Sequence, residues 1–583
     1  MIKIIHTENT ESRTFGWVQN PSNFRSLCDV VAVFDANSAK HNQLVAKIIP
    51  ALVLPADGQA ELLSALNSRP LKIKYADLKG TSFTPRSAAR CNGIVQATVK
   101  GQGSKLFVDD WSADGFVRWA HCLGFIAYDY ATDAFSITAQ GLRLSTARSE
   151  DSELNEAEKN VLVEAVLAYP PAIRVLSLLA EGNAHLTKFE IGRQLGFTSE
   201  SGFTSMPQDV LIRTIAGIAD SSERNEMRNN WEGSSDKYAR MIASWLIKLG
   251  LVQKLTKEIT VTVGAMSYTE NIGQSFVITA QGITALRKSK GASKHNRIAK
   301  NVSFEMLSTK GTDRAFLRTR RALIIKALSE SSAAMTADEI VAILKSHGVK
   351  TLAAAIIDDI GGLKNIGFDI DADGSSFTWK DKINSFSIPV FSSVAASTHE
   401  QAKDELRKNI SHIPHEYLSL IDLAYDSKQN RLFEMKTMQL LTEECGFEGL
   451  HLGGSRKPDG VAYTTGIPDN YGIIVDTKAY SGGYNLPIGQ ADEMQRYIQE
   501  NQRRDAQENP NKWWDNFGED VGTFYFMFVA GHFIGRYQDQ IERISRATST
   551  KGAAIEVSRL LLTAENVKGR AYDLAKVEGE YFG

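Results

Sequence analysis

The chain has 583 residues, 43% hydrophobic and 23% charged, values that exclude collagen-like, coiled-coil-only and wholly disordered readings. At roughly 150 residues per domain, this length implies about four domains. The net charge of −2 conceals a split: residues 401–583 hold 21 Lys and Arg against 27 Asp and Glu, net −6, leaving residues 1–400 with 45 against 41, net +4. Cys28, Cys91, Cys122 and Cys445 are scattered without a Cys-x-x-Cys, which supports neither a disulfide framework nor a zinc knuckle. The start lacks a signal-peptide core, and the most apolar run falls far short of the roughly 20 residues of a membrane helix. A cytoplasmic protein is expected.

Near the start, RTFGWVQN sets Gln19 and Asn20 behind Trp17. Such amides bond bidentately to adenine. Trp111, in DDWSADGF, has the core as its ordinary place, being a lone Trp. A repeated pattern follows. FVRWAHCLGF (116–125) ends a helical pattern, then an apolar run, a turn near Asp133 and FSITAQGL complete a helix-strand-turn-strand unit. DKYARMIASWLIKLGL (236–251) repeats it, with Trp245 and Leu249-Gly250 spaced as Trp119 and Leu123-Gly124, and ITAQG recurs at 137–141 and 278–282. The second copy also carries LTKFEIGRQLGF (186–197), which reads as helix, turn and helix start. A weaker third copy runs from RTRRALIIKALSE to DIDADGSSFTW, with helix stops at Gly348 and Gly367 and an Asp-Gly hairpin turn at 373–374.

Three short helices followed by a hairpin form a winged helix, a module that puts one helix into the DNA major groove, although many winged helices bind protein instead. In RNNWEGSSDKYAR, Asn229 offers an amide for adenine, Glu232 a carboxylate for cytosine, and Lys237 and Arg240 cations for guanine or phosphate, all around Trp231. Asn229 or Ser235 also suits the cap of the helix beginning near Asp236. The run RKSKGASKHNRIAK (287–300) and Arg314, Arg318, Arg320 and Arg321 are expected to neutralise phosphates.

After the small-residue stretch SSVAAST (392–398) the composition changes and a helix is expected at HEQAKDELRKN. YGIIVDTKAY reads as a buried strand with GVAYTT as its partner, and period-two alternation puts Asp476 and Lys478 on one face. With Asp459 after Pro458, two carboxylates at neighbouring strand ends suit an oxygen-seeking cation such as Mg2+, with Lys478 offsetting phosphate charge. The acid-x-Lys triplet is cheap, recurring at Asp77, Asp426 and Glu434; its place at the end of an apolar strand, 17 residues after an Asp flanked by Pro and Gly, distinguishes it. Glu434, in RLFEMKTMQLL, is either directed at this site or an ordinary surface glutamate.

The blocks RTFGWVQN, SADGFVRWAH, AYPPAIRVL, RNNWEGSSDKYARM, RTRRALI, HLGGSRKPDG and VDTKAYSGGYNLPIGQADEMQRY closely resemble the FokI family of type IIS restriction endonucleases over nearly the whole chain. The resemblance implies a multidomain α+β protein: three tandem winged-helix (helix-turn-helix) subdomains at 1–155, 156–296 and 297–390, a linker at 391–398, and an α/β PD-(D/E)xK nuclease domain at 399–583. It implies a bacterial enzyme that recognises GGATG and makes a Mg2+-dependent double-strand break at a fixed distance, with no organic cofactor. The implied catalytic residues are Asp459, Asp476 and Lys478, and the metal ligands Asp459, Asp476 and the Thr477 carbonyl. Base readers fall on Gln19, Asn20, Arg86, Trp111, Asn229, Glu232, Lys237 and Arg240. A transient homodimer is implied through Asp492 and Arg496, a pair that alone reads as an exposed i, i+4 ion pair. Double-stranded DNA is the implied partner, beside a cognate DNA methyltransferase. The residues themselves leave two rival readings: a winged-helix regulator with an inactive nuclease-like domain, and a nicking or repair nuclease.

Overall fold

The computed structural model describes residues 2–9, 13–84, 90–263, 266–292, 296–309, 311–390 and 395–583. The first two repeats are built alike. Helix α1 (Asp110–Cys122) leads into a hairpin of strands Ile126–Asp129 and Ala134–Ile137, and helix α2 (Ser234–Lys248) into a longer one of strands Val252–Val263 and Met266–Ile278. The ITAQG pentapeptide, expected to close the return strand, also starts a helix. Thr138 and Thr279 cap helices Ala139–Ala147 and Ala280–Ser289 by accepting from the N–H of Gly141 and Gly282, each at 3.0 Å. Glycine is required in the last place, because a Cβ would lie 2.1 Å from the Phe125 carbonyl oxygen in one copy and 2.0 Å from that of Leu251 in the other. The copies meet through equivalent residues: Trp119 and Trp245 stack with centroids 5.0 Å apart and planes 17° from parallel.

The third copy comprises helices α3 (Arg314–Glu330), Ala337–Ser346 and α4 (Ala353–Ile366), then strands Ile370–Asp373 and Ser376–Trp379 around the expected turn. Gly367, at φ +120°, ends α4. All three copies share one continuous apolar core, and strand Lys3–His6 pairs in parallel with Ser387–Val390 to join the chain's start to the end of the third copy.

The arginines of α3 correct a sequence expectation. Arg318, Arg320 and Arg321 do not face solvent; each is no more than 2% exposed. Asp359 of α4 accepts from Arg320 at 2.6 Å and from Arg321 at 2.7 Å, Glu200 accepts from Arg321, and the Ser308 carbonyl accepts from Arg318 at 3.0 Å. The helix is buried on every side from Phe316 to Ile325, so these arginines are enclosed, and carboxylates and carbonyls meet the cost of burying their charge. Of the basic run at 287–300, Arg297 is paired with Asp369 and Asp381 and Lys300 is buried, while residues 293–295 lie outside the described residues.

Helix α5 (Thr398–Arg407), capped by Ser397, opens the C-terminal lobe. Helix α6 (Asn430–Glu443) then packs on a five-stranded sheet whose spatial order follows the sequence: β1 (Glu448–His451), β2 (Gly460–Tyr463), β3 (Tyr471–Lys478), β4 (Thr523–Ala530) and β5 (Gly552–Glu556). The first two junctions are antiparallel and the last two parallel. Alternation assigns the faces. Ile473, Val475, Met527 and Val529 pack with Leu440 and Leu561, whereas Ile474, Phe526 and Phe528 pack with Met494 and Ile498 of α7 (Ile488–Arg503).

The C-terminal lobe docks against the N-terminal copies through charge and apolar contact together. Glu400 of α5 accepts from Arg320 at 3.3 Å and from Arg407 at 3.0 Å, and Arg407 also reaches Asp358 of α4 at 2.9 Å. Arg193 bridges to Glu416 and Glu443. Met435 of α6 sits in an apolar cluster with Phe189, Leu211 and Trp231 of the second copy, and Arg431 lies over the Trp231 ring at 4.5 Å. Among the described residues, no single helix is long and apolar enough to cross a membrane.

Candidate active site and nucleic-acid interface

The last paired residues of β2 and β3 are Gly460 and Val475. One step further along an antiparallel register places Asp459 directly opposite Asp476, where side chains are neighbours. Asp459 Oδ2 accepts from the Thr477 backbone N–H at 2.6 Å and from Thr477 Oγ1 at 3.0 Å, which orients its carboxyl. Lys478 Nζ lies 2.7 Å from Asp476 Oδ2, as expected for residues two apart on one strand face. Asp476 is buried and is paired in register with Phe528 of β4, so the polar end of the strand continues the apolar face that α7 covers.

The electrostatics are those of crowded negative charge. Burial, then repulsion from Asp476 and Glu434, pushes the Asp459 carboxyl well above the ordinary range against the pull of Lys478. Burial likewise raises Asp476, against Lys478. Burial alone would lower the Lys478 ammonium, but Asp476 and Asp459 outweigh it and the net shift is upward. Glu434 of α6 does face this site. Its Oε2 lies 3.1 Å from Nε2 of buried His451, which ends β1. Glu493 of α7 adds a further carboxylate whose field acts on Asp476 and Lys478, and it accepts from the Tyr497 hydroxyl at 3.0 Å. Among the described residues, no three His, Cys, Asp or Glu side chains converge as a ready-made metal cage. The donor set suits a hard divalent cation that takes two carboxylates and completes its shell with backbone oxygen and water.

Around the N-terminal ends of α1 and α2 lie several residues singled out from the sequence. Trp111, in the first turn of α1, is 59% exposed, so the core assignment is wrong for it. Gln19 lies beside the Tyr238 hydroxyl of α2, and a Cβ on Gly115 of α1 would lie 2.4 Å from the Asn20 carbonyl oxygen, so the N-terminal arm runs between the two helices. Lys237 and Arg240 occupy the first half of α2 and are partly exposed. Glu232 is gripped by Lys188 at 2.7 Å and Arg240 at 2.8 Å; burial raises its carboxyl, but the two cations outweigh it and hold it below its ordinary value. Asn229 is exposed on helix Ser221–Asn230. Arg86 lies outside the described residues.

The chain matches the models for the FokI cleavage domain at 396–582, FokI recognition subdomain 1 at 13–147, recognition subdomain 2 at 158–294 and the FokI D3 domain at 307–375. It is 47% identical over 574 residues to the type II restriction enzyme FokI of Planomicrobium okeanokoites, covering 98% of both chains. The chain belongs to the FokI family of type II restriction enzymes. It is 33% identical to the type II restriction enzyme StsI of Streptococcus sanguinis, covering 97% of this chain and 94% of that one. The solved structure of FokI bound to DNA superposes with a TM-score of 0.91 at 46% identity, covering 98% of this chain and 99% of that chain, and a second solved structure of FokI gives 0.90. This FokI family member is therefore a type IIS restriction endonuclease with recognition subdomains and a cleavage domain.

Two local expectations for this FokI-like enzyme are corrected. Neither Asn229 nor Ser235 caps α2: Gly233 is the cap residue, and Asp236 reaches back to accept from its N–H at 2.8 Å. Ser235 is instead buried, its hydroxyl donating to the Leu195 carbonyl at 3.3 Å. Asp492 and Arg496 do not pair within α7. Asp492 accepts from Arg543 at 2.7 Å, and Arg496 reaches Glu493 at 3.3 Å and Glu500 at 3.6 Å. Nearer carboxylates on the same helix captured the guanidinium. Sequence reasoning missed His451, Glu493 and Tyr484 near the site; all three stand within the quoted blocks HLGGSRKPDG and VDTKAYSGGYNLPIGQADEMQRY, so block membership was their signal.

Proposed function

We propose that this restriction endonuclease reads the asymmetric duplex sequence GGATG and makes a Mg2+-dependent double-strand break at a fixed distance outside it. Residues 1–155, 156–296 and 297–390 act as winged-helix units and 399–583 as a PD-(D/E)xK cleavage domain. The observation that carries the reading is Asp459 lying opposite Asp476 in strand register, with Lys478 bonded to Asp476. Asp459, Asp476 and the Thr477 carbonyl would hold the cation. The Thr477 N–H already points to Asp459, and in an extended strand the carbonyl of the same residue leaves on that side. When bound, a divalent cation supplies Lewis acidity toward a phosphate oxygen and lowers the pKa of a water.

The chain's own residues do the rest. The carboxylates fix the approach of the phosphodiester, and Lys478 offsets charge growing on phosphate oxygens. Gln19, Asn20, Trp111, Asn229, Glu232, Lys237 and Arg240, on or beside the arm and the starts of α1 and α2, are the proposed base and phosphate contacts, together with Arg86. One site cuts one strand, so two cleavage domains meet transiently through the surface bearing Asp492 and Arg496, both free of each other and 57% and 44% exposed at their side chains. A methyltransferase of the same specificity protects the host's own sites.

Run-off sequencing of plasmid DNA digested in Mg2+ tests the reading. Breaks at one offset from GGATG support it; uncut GGATG-containing duplex, or ends scattered without a motif, overturns it. Asp476→Asn is expected to bind the duplex and leave it intact, and retained cleavage overturns the assignment of the site.

A further inference from the structure

Tyr484 is 1% exposed, yet among the described residues its hydroxyl has no hydrogen-bond partner. A phenol buried in this way ordinarily finds an acceptor, because leaving it unpaired costs free energy. The backbone around it is firmly held. Tyr484 donates its N–H to the His532 carbonyl at 3.0 Å, and its own carbonyl accepts from Ile534 at 3.0 Å. The ring is wedged against Tyr480 at 5.3 Å, Phe533 at 6.1 Å and Phe528 at 6.4 Å. Phe528 is the register partner of Asp476, so Tyr484 lies over the sheet face that carries Asp476 and Lys478. Burial first, then the charges of Asp476, Glu493 and Asp459, push its pKa above the ordinary phenol range, so the hydroxyl keeps its proton. A rigid, protonated donor without a partner among the described residues, within the field of Asp476 and Asp459, suits an acceptor that arrives with the substrate.

We propose that Tyr484 is a further catalytic residue, its hydroxyl donating to a nonbridging oxygen of the scissile phosphodiester. This rests on the active-site reading above. Water adds its oxygen to phosphorus, the bond from phosphorus to one deoxyribose oxygen breaks, that oxygen takes up a proton, and the second water proton passes to solvent. The phenol remains neutral throughout and contributes a hydrogen bond that strengthens as negative charge grows on the phosphate. Lys478 supplies the charged part of that stabilisation and Tyr484 the directional part.

The test is Tyr484→Phe in the full-length enzyme, measured by single-turnover cleavage, duplex affinity and thermal midpoint. The expected result is a rate lowered roughly 10- to 100-fold, the value of a hydrogen bond to a charged group. Duplex affinity is unchanged, and the thermal midpoint is unchanged or higher, since only an unpartnered hydroxyl has been removed. A substrate with sulfur replacing one nonbridging oxygen at the scissile phosphate supplies the second readout. One diastereomer is expected to be cut more slowly by the native enzyme, with that penalty reduced in Tyr484→Phe, because both changes remove the same bond. A variant rate within about twofold of native overturns the proposal, as does a slow variant with an undiminished sulfur penalty. Cleavage by the native enzyme together with an inactive Asp476→Asn leaves the active-site reading standing in either case.

Discussion

Glu400 joins the recognition copies to the cleavage domain, and Glu400→Gln tests how strongly. The side chain is 2% exposed. Burial alone would raise its carboxyl, but Arg320, Arg407 and Lys403 outweigh it and bring it from 4.5 down to about 2. At ~1.4 kcal/mol for each pKa unit, the charged form contributes about 3 kcal/mol at neutral pH. The amide keeps the shape and loses the charge, leaving Arg320 with Asp359 and Arg407 with Asp358 and Asp404. Hydrogen exchange of the α5 amides is therefore expected to show protection lowered by roughly two orders of magnitude in the variant. The pH arm follows from the direction of the shift. A depressed carboxyl stabilises fully above its unfolded pKa and loses that contribution as pH falls through its folded value, so the gap between native and variant closes between about pH 4.5 and pH 2. A change in protection below about threefold at neutral pH, or a gap that stays constant through that window, refutes the reasoning.

Trp245→Ala removes a fully buried ring stacked on Trp119 and is expected to destabilise the recognition portion by about 3–5 kcal/mol, seen as a lower urea midpoint by circular dichroism; an unchanged midpoint contradicts the shared core. Gly453 has φ +55°, and a Cβ there would lie 2.6 Å from Cε1 of His451. Gly453→Ala is therefore expected to displace His451 and with it Glu434, slowing cleavage roughly tenfold or more while duplex binding measured by gel shift is retained. Trp111→Ala, at an exposed position, is expected to weaken duplex binding with no change in thermal midpoint.

Much of this was legible before any coordinates. The ITAQG pair and the matching Trp and Leu-Gly spacings announced a duplicated unit, and the change of composition after residue 397 marked a new lobe. Local signals served where the decisive interaction is local: the hairpin turn at 373–374, the stop at Gly367 and the face shared by Asp476 and Lys478. They failed where a partner distant in sequence decides. Arg320 and Arg321 form an exposed-looking basic cluster in the chain, yet Asp359, Glu200 and Glu400 come from three other segments to pair with them. Asp492 found Arg543, 51 residues away, instead of the arginine one turn along its helix. Trp111, expected in the core, is exposed, whereas Trp231 is buried where the docked cleavage domain packs on the second copy.

By itself, the amino-acid sequence determined which stretches become helix or strand, that the chain is modular, and which carboxylates and lysine stand at a strand end. Periodicity, capping and turn chemistry act over a few residues, so they are written in the order of the residues. The antiparallel register that sets Asp459 against Asp476, the approach of Glu434 and His451 on separate elements, and the burial of the α3 arginines were decided only by tertiary structure. Each depends on which surfaces exclude water together, and that is a property of the assembled fold.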